Sequence, residues 1–460
     1  MIHIYHYNTH SEQRFFLGRE HPGLFDIISL NGNIVSHTPS GVASFVANTG
    51  KKYFIDPQTH AFQHPTIHLK TEIKNKDKEG SSQIDFKPSI VKLAKERLRG
   101  PFAQVIKNDR PILPIDFFKD NGEIDNNIIT QICENVIYFQ TETMTESLDE
   151  EALEFMGEYS FNPEFIIAPY FYLSPRRFEE WLKITLACLK KTKEIVTDLP
   201  VFLALVVSKE ALDEGSKTIL EMISNDFTQR LDGILLWIDE HTEEDLSKSS
   251  IQRYIMFLKE LKKITNTVYN SHGGYLSVLL GHSELDNLIS GVGHSINYGE
   301  SRSVIPIGGG IPMARFYYPS IHSRLRFGDS LSILLSKELL SSEDSYLSNV
   351  CSCRQCAKLI KEKKTVSEAF LVYGESKQIT FRRRAGSIVR LEYPTKEAKQ
   401  AASCHYLYNK AKEFKDIEAR EMEDLLVEME NAYENIASYS GDELVAHLIN
   451  WKNSIEQVLY

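Results

Sequence analysis

Cys351-Ser-Cys353-Arg-Gln-Cys356 places three thiols within six residues of a chain that has six cysteines in all. Two further donors follow, Cys404 and its neighbour His405. Thiolates and imidazole suit a borderline-soft ion such as zinc. Four protein ligands leave no open position, so the expected role is structural. The expected set is Cys351, Cys353, Cys356 and His405, with Cys404 as the alternative fourth ligand. A disulfide or unrelated buried thiols would be the competing explanations. Cys133 and Cys188 lie in apolar-rich segments and read as small core residues.

The chain has 460 residues, 42% hydrophobic and 25% charged, as in an ordinary globular protein. That length is enough for a (β/α)8 barrel with appendages. No apolar run approaches the ~20 residues of a membrane span. The start, Met1-Ile-His-Ile-Tyr-His6, lacks the basic-then-apolar pattern of a signal peptide. With metal-binding, reduced cysteines, this leads us to expect a cytoplasmic protein with no membrane partner. The net charge of −11 argues against a broad nucleic-acid surface. Residues 351–412 depart from that balance, with fourteen Lys/Arg against five Asp/Glu. Arg382, Arg383 and Arg384 stand together there. A local positive patch on an acidic body suits a confined phosphate-backbone contact; a solvated charged face is the alternative.

Short apolar, β-branched or aromatic runs recur along the chain. They are Phe25–Leu30, Tyr53–Asp56, Asn135–Gln140, Phe165–Tyr172, Val201–Ser208, Gly233–Asp239, Tyr275–Gly281, His294–Tyr298 and Ala314–Tyr318. Between the later ones, Phe178–Val196 and Gln252–Thr265 carry apolar residues at helical spacing. Alternating strands and helices imply a parallel sheet, and about eight repeats imply a closed barrel. Nine runs for eight strands leave one surplus, and Asn135–Gln140 is the one we set aside. The expected organisation is an α/β (β/α)8 TIM-type barrel over 1–345 with an insertion around 65–130. A zinc-binding subdomain over 346–415 and a helical hairpin over 416–460 complete it. Residues 70–91 read as an exposed insertion or a mobile loop. The zinc module or the C-terminal helices could also serve a homodimer or another protein partner.

A barrel whose last strand runs into C-x-C-x-x-C and then a ligand His resembles the tRNA-guanine transglycosylase superfamily, which exchanges a nucleobase of tRNA or DNA for a 7-deazaguanine. Several segments keep that family's order. Tyr53-Phe-Ile-Asp56-Pro-Gln-Thr-His-Ala-Phe62-Gln63 resembles its S-D-S-G-G-F-Q strand end. Ile166-Ile-Ala168-Pro-Tyr-Phe-Tyr-Leu-Ser-Pro175 resembles D-I-A-M-A-F-D-E-C. Leu203-Ala-Leu-Val-Val-Ser208 resembles F-G-I-V-Q-G-G, and Asp232-Gly233-Ile234 opens like F-D-G-Y. Leu280-Gly281, Leu285-Asp286-Asn-Leu288 and Gly291-Val292 resemble L-M-G-V-G, D-L and G-V. The thread covers roughly residues 50–415. It implies the barrel, a structural zinc, nucleic acid as partner and pentosyltransferase chemistry.

The departures are specific. Ile296 stands where the family has its nucleophilic Asp. The base-reading acid falls near Tyr170–Tyr172, where no acid is present, and the base-reading amide falls near Val207. Leu236-Trp237-Ile238-Asp239-Glu240 replaces a Gly-rich loop. The Cys356-to-His405 gap is longer than the family's, with an insertion around Val372–Tyr393 that reads as a hairpin. Asp56 alone persists at a catalytic-site position.

Barrel enzymes work at the C-terminal ends of their strands. Base exchange needs a carboxylate at the glycosidic carbon and an acid for proton transfer. Asp56 with Asp239 or Glu300 could supply them, and His294, Asn297 and Arg302 could bind substrate. The competing expectation is an inactive barrel that keeps the fold as a binding or assembly subunit, with Tyr170, Phe171 and Tyr172 filling the pocket. Tyr317, Tyr318, His322, Arg324 and Arg326 form an aromatic and basic cluster just before the zinc module. Gly308-Gly309-Gly310 reads as a flexible loop.

Overall fold

A computed structural model describes residues 1–8, 23–74, 82–148, 161–296, 300–305, 313–382, 388–440 and 442–459. Its strands are β1 (Ile2–Tyr7), β2 (Ile27–Asn31), β3 (Lys52–Asp56), β4 (Lys70–Lys74), β5 (Ser82–Phe86), β6 (Ile166–Ile167), β7 (Tyr172–Leu173) and β8 (Val201–Val207). They continue with β9 (Gly233–Ile238), β10 (Val268–Asn270), β11 (Gly291–His294), β12 (Arg315–Tyr318), β13 (Ser323–Arg326), β14 (Ser376–Arg382) and β15 (Ile388–Pro394). One large sheet runs β3-β2-β1-β11-β10-β9-β8-β6, with β7 also on β8. Every pairing in it is parallel.

Parallel neighbours need crossover connections, and helices supply them. Helices Phe178–Ile195, Lys209–Asp226 and Lys248–Ile264 link β7 to β8, β8 to β9 and β9 to β10. The last two begin at serine caps: Ser208 Oγ accepts from Ala211 N at 3.0 Å, and Ser247 Oγ from Ser250 N at 3.2 Å. The outward side chains of the sheet join these helices in the main core.

The inward side chains show how strongly the sheet curls. Ile4, Ile27, Phe54, Phe165, Phe202 and Leu235 belong to one separate buried cluster, although β3 and β6 stand at opposite ends of the strand order. Phe165 stacks on Phe54 at 4.5 Å and on Phe202 at 3.9 Å between ring centroids. Glu164 N donates to Tyr53 O at 2.8 Å. The two ends thus approach through ring packing and one backbone bond outside the named ladders. The expected closed barrel is met as a curled parallel sheet of eight strand positions, with no β3–β6 ladder among the described residues.

The run set aside is no strand, and three of the expected strands come out differently. Asn135–Gln140, the run set aside, lies in helix Asn126–Thr141. Tyr275–Gly281 forms helix Tyr275–Leu279, and the strand before it is β10. A short apolar run buried on all sides has no period that separates strand from helix. Ala314–Tyr318 is a strand, but it pairs antiparallel with β13 outside the large sheet. His294 ends β11 instead of beginning a strand. Two strands of the large sheet are missing from the expectation: β10, and β1, whose Ile-His-Ile-Tyr-His-Tyr sequence disguises its burial behind polar rings.

Residues 70–91 contain the β4–β5 hairpin and the start of a helical segment. Within 351–412, β14 and β15 form the hairpin expected in the insertion, and helix Lys396–Ala419 runs 24 residues. Helices Met422–Ser440 and Ala446–Leu459 follow. They bury Met422, Leu425 and Met429, and Leu448, Trp451 and Ile455. Trp451 Nε1 donates to Glu243 O at 3.1 Å, tying the last helix to the loop after β9. No helix among the described residues is long and apolar enough to cross a membrane.

Candidate functional site

Three groups of polar side chains lie close together: a thiol cluster, a buried ion network beside it, and the C-terminal end of the curled sheet. The thiol cluster follows directly from the spacing. Cys353 caps helix Arg354–Glu362, its sulfur accepting from Cys356 N at 3.4 Å, while Cys353 N donates to Cys351 Sγ at 3.4 Å. These turns bring all three sulfurs to one side. His405 Nδ1 lies 3.7 Å from Cys351 Sγ and 3.4 Å from both Cys353 Sγ and Cys356 Sγ. All four donor atoms fall within 4.8 Å of one another.

This is the one such donor group among the described residues, and it could hold a metal ion such as zinc. Its surroundings fit that use. His405 Nε2 donates to Tyr317 O at 2.7 Å, which leaves Nδ1 for a metal. Phe316 stacks on the imidazole at 4.3 Å. The hydroxyls of Tyr373 and Tyr346 lie 3.2 and 3.4 Å from Cys356 Sγ. Cys404 is buried but outside the group, because successive residues of a helix point about 100° apart.

One helical turn beyond His405, Lys410 has no exposed surface. Its ammonium pairs with Glu300 and lies 2.9 Å from Glu413 Oε2. Tyr406 Oη donates to Glu300 Oε1 at 3.2 Å. Glu413 also accepts from the Tyr317 hydroxyl, and His322 Nδ1 lies 2.8 Å from its Oε1. Burial works against the Glu413 charge, but Lys410, with His322 and Tyr317, prevails and holds its pKa down at about 2. Burial, reinforced by the nearby Glu300 charge, raises Glu244 to about 7. None of the Lys410 partners is near it in sequence except those on its own helix.

The C-terminal end of the sheet holds the remaining candidates. At the end of β3, Asp56 Oδ1 accepts from Gln58 N at 3.0 Å and from Tyr170 Oη at 2.6 Å. A side chain at Gly32 would meet Asp56 O at 2.6 Å, so glycine there lets β2 and the β3 end come close. Asp239, just after β9, accepts from Tyr172 Oη at 2.8 Å and Val304 N at 2.7 Å. Tyr170 and Tyr172 both belong to the segment that forms β6 and β7. Burial pushes the Asp56 carboxyl up, while the Tyr170 and Gln58 hydrogen bonds and the Arg302 charge pull it down, and burial prevails.

Arg302 stands with its guanidinium 5.6 Å from the Trp237 ring, and its backbone oxygen accepts from Trp237 Nε1 at 3.1 Å. Around Trp237 are His60 at 5.3 Å and His272 at 4.8 Å. Tyr170 stacks on His60 at 5.2 Å, and His6 on His272 at 4.4 Å. The end of the sheet is thus an aromatic and imidazole layer carrying Asp56, Asp239 and Arg302.

The sequence-derived candidates divide accordingly. Asp56, Asp239 and Arg302 gather at this layer. Glu300 does not; it is engaged by Lys410 and Tyr406. His294 is fully buried and turned to helix Lys396–Ala419, with its ring 5.6 Å from Phe414 and 5.2 Å from His3. Asn297, Arg383 and Arg384 lie outside the described residues, as do the Arg382 side chain and Gly308–Gly310. Lys410 and Glu413 were missed as site residues: their i,i+3 spacing reads as an ordinary helix-surface pair, and the link of Lys410 to Glu300 across 110 positions leaves no local pattern. No family model, curated protein or solved structure matches this chain.

Burial holds the pKa of His3 at about 3 and those of His6, His64, His241 and His447 at about 4. His60, His272 and His294 are also pushed well below the ordinary histidine value. An unfolded histidine takes up its proton near pH 6.5, before these buried ones do. Their contribution to stability is therefore present above pH 6.5 and lost as pH falls toward 4. The raised carboxyls Asp56, Glu243 and Glu244 act in the opposite sense. Eight histidines outnumber them, so the urea midpoint should fall between pH 6.5 and 4. A midpoint that rises over that interval would contradict the assignment.

Lys410→Met would leave Glu300 and Glu413 buried without their cation. A broken buried pair costs about 3–5 kcal/mol, so the urea midpoint at pH 7 should drop markedly. Adding Glu413→Gln should recover part of the loss, as measured by the same unfolding curve.

Proposed function

We propose that this chain is a transglycosylase-like barrel acting on a nucleobase within tRNA or DNA, by a site that differs from the family's. Zinc held by Cys351, Cys353, Cys356 and His405 secures the C-terminal region to the barrel as a structural ion, with all four positions filled by protein. The observation that carries the reading is the Asp56 carboxyl. It sits at a strand's C-terminal end, is raised by burial, and touches Tyr170 within an aromatic layer that also holds Arg302.

Base exchange asks two things of carboxyls. Asp56 gives its proton to the departing base as the C–N glycosidic bond breaks, then recovers one from the incoming base as the new bond forms. Asp239, a hydrogen-bonded acceptor at the same end of the sheet, meets the positive charge that develops at the sugar carbon. A carboxyl whose environment raises its pKa suits the acid, and a well-solvated or hydrogen-bonded one suits the stabiliser. Ile296 offers no nucleophile, and the acid and amide that read guanine in the family have no counterpart here. Buried polar groups left unpaired are what give such a site its selectivity, so a site lacking them does not hold guanine in the same manner.

A second reading is favoured by the tyrosine hydroxyls that already occupy Asp56 and Asp239. In it the barrel is a nucleic-acid-binding or assembly subunit without catalysis. In both readings the basic part of 351–412, with Arg382, Arg383 and Arg384, meets the phosphate backbone.

Elemental analysis should give about one zinc per chain, reduced by Cys353→Ser and His405→Ala but not by Cys404→Ser. Full metal content in the first two variants would remove the zinc assignment. Labelled guanine should not enter tRNA, and Asp56→Asn should abolish whatever base exchange is found while leaving the melting curve intact. Efficient guanine exchange, or an undiminished Asp56→Asn variant, would defeat the altered-site reading. Absence of exchange with any base, alongside salt-dependent nucleic-acid binding, would select the second. In either case charge reversal at Arg382, Arg383 and Arg384 should weaken binding across sequences alike, since phosphate contacts carry no sequence information.

A further inference from the structure

Two histidines in the layer at the end of the sheet have a hydrogen-bonding atom with no partner. His60 lies in the turn after β3 and His272 just after β10; they are 3% and 5% exposed. In each, Nδ1 is enclosed and without a hydrogen-bond partner among the described residues. Buried polar groups in native proteins are nearly always paired, and an exception calls for an explanation. Unpaired imidazole nitrogens also occur at His3, His64, His241 and His294, but among the described residues His60 and His272 are the two of these whose rings meet one indole. Trp237 meets the His60 ring at 78° and the His272 ring at 62°, both edge-to-face.

The chemistry around them narrows what could pair these atoms. Asp56 and Asp239 stand in the same layer and oppose a small anion. A metal is not favoured, because the cysteine group is the one place among the described residues where three donors converge within 4.8 Å. Trp237, Tyr170 and His6 provide flat aromatic surfaces, and Arg302 adds a guanidinium plane 5.6 Å from the Trp237 ring. An uncharged imidazole nitrogen donates or accepts according to its tautomer. Flat walls with two such atoms suit a planar ring with a mixed donor and acceptor edge.

We propose that His60 and His272 are specificity-determining residues whose Nδ1 atoms bond to the edge of a nucleobase-like heteroaromatic ring. The inference rests on the reading of this layer as the substrate site, and it supplies the groups that would replace the absent base-reading acid and amide.

The test is equilibrium dialysis of the full, zinc-loaded chain with labelled guanine, adenine, cytosine and uracil. One of the four should bind selectively. His60→Phe and His272→Phe keep a ring but remove the nitrogen. Each should weaken that binding by roughly tenfold or more, as for loss of a buried hydrogen bond. Neither should lower the melting temperature, because an unpaired polar atom is removed with it. A histidine that merely supports the fold would show the reverse. His60→Gln and His272→Gln restore a hydrogen-bonding atom and should recover part of the affinity.

If no base binds the wild-type chain, or if the Phe variants bind as tightly, the inference fails. Asp56-dependent exchange with unchanged base affinity in the Phe variants would remove this inference alone. Histidine-dependent base binding without exchange on any nucleic acid would support it and remove the catalytic reading instead.

Discussion

Lys410 carries a charge with none of its surface in water, and the junction between the curled sheet and the C-terminal region is built around neutralising it. Removing an ammonium from water costs several kcal/mol even after relaxation. Two carboxylates and the faces of Tyr317 and Tyr406, 4.7 and 5.7 Å away, offset that cost. Each partner brings its own chain segment. Glu300 brings the connection after β11, and Tyr317 the β12–β13 hairpin. Lys410 and Glu413 themselves lie on helix Lys396–Ala419. That helix also carries His405, whose Nε2 is held by the Tyr317 carbonyl. The ion network and the thiol cluster therefore share helix Lys396–Ala419 and Tyr317, about one helical turn apart.

This arrangement bears on the end of the sheet. Arg302 lies two residues beyond Glu300, and its guanidinium acts electrostatically on Asp56, His6, His60 and His272. Holding Glu300 to Lys410 thus limits where Arg302 can sit. Residues 300–302 are held from both sides, by Lys410 outside the sheet and by the Trp237 indole within it. Close backbone approach contributes as well: a side chain at Gly293 would come within 2.0 Å of Ser271 O, so β11 could not reach the β10 connection with any other residue.

Particular residues show what was legible in the sequence. The thiol cluster was, because three of its ligands are local and a helix N-terminus brings them together. The choice of His405 over Cys404 needed the helix phase. The strands β2, β3, β8 and β9 were legible as apolar or β-branched runs. The strand β1 was not, since Tyr5, Tyr7, His3 and His6 are buried by ring packing that no hydropathy pattern registers. Asp56 and Asp239 could be placed at strand ends, but Tyr170 and Tyr172 were read as pocket-filling rings, not as hydroxyl donors to those same carboxyls. Glu300 could be counted as an acid near a strand end; that it is claimed by a lysine 110 positions away could not. Side chains meet by topology, and topology is the part of a fold that local spacing carries least.

The two polar interiors solve burial in different ways, although His3 and His294 near Lys410 also carry unpaired nitrogens. In the ion network each charge meets an opposite charge or a hydrogen-bond donor, so its cost is met within the protein and a ligand has little to add. At the end of the sheet the carboxyls are satisfied but His60 and His272 are not. Unpaired nitrogens there lower the stability of the fold, and no packing advantage follows from them, since an apolar ring of similar shape would fill the same space. Sequences agree with their folds across levels except where another demand acts, and such exceptions gather at functional sites. The thiol cluster and Lys410 hold the frame. The unpaired imidazoles at the end of the sheet leave hydrogen-bonding capacity that the protein itself does not meet.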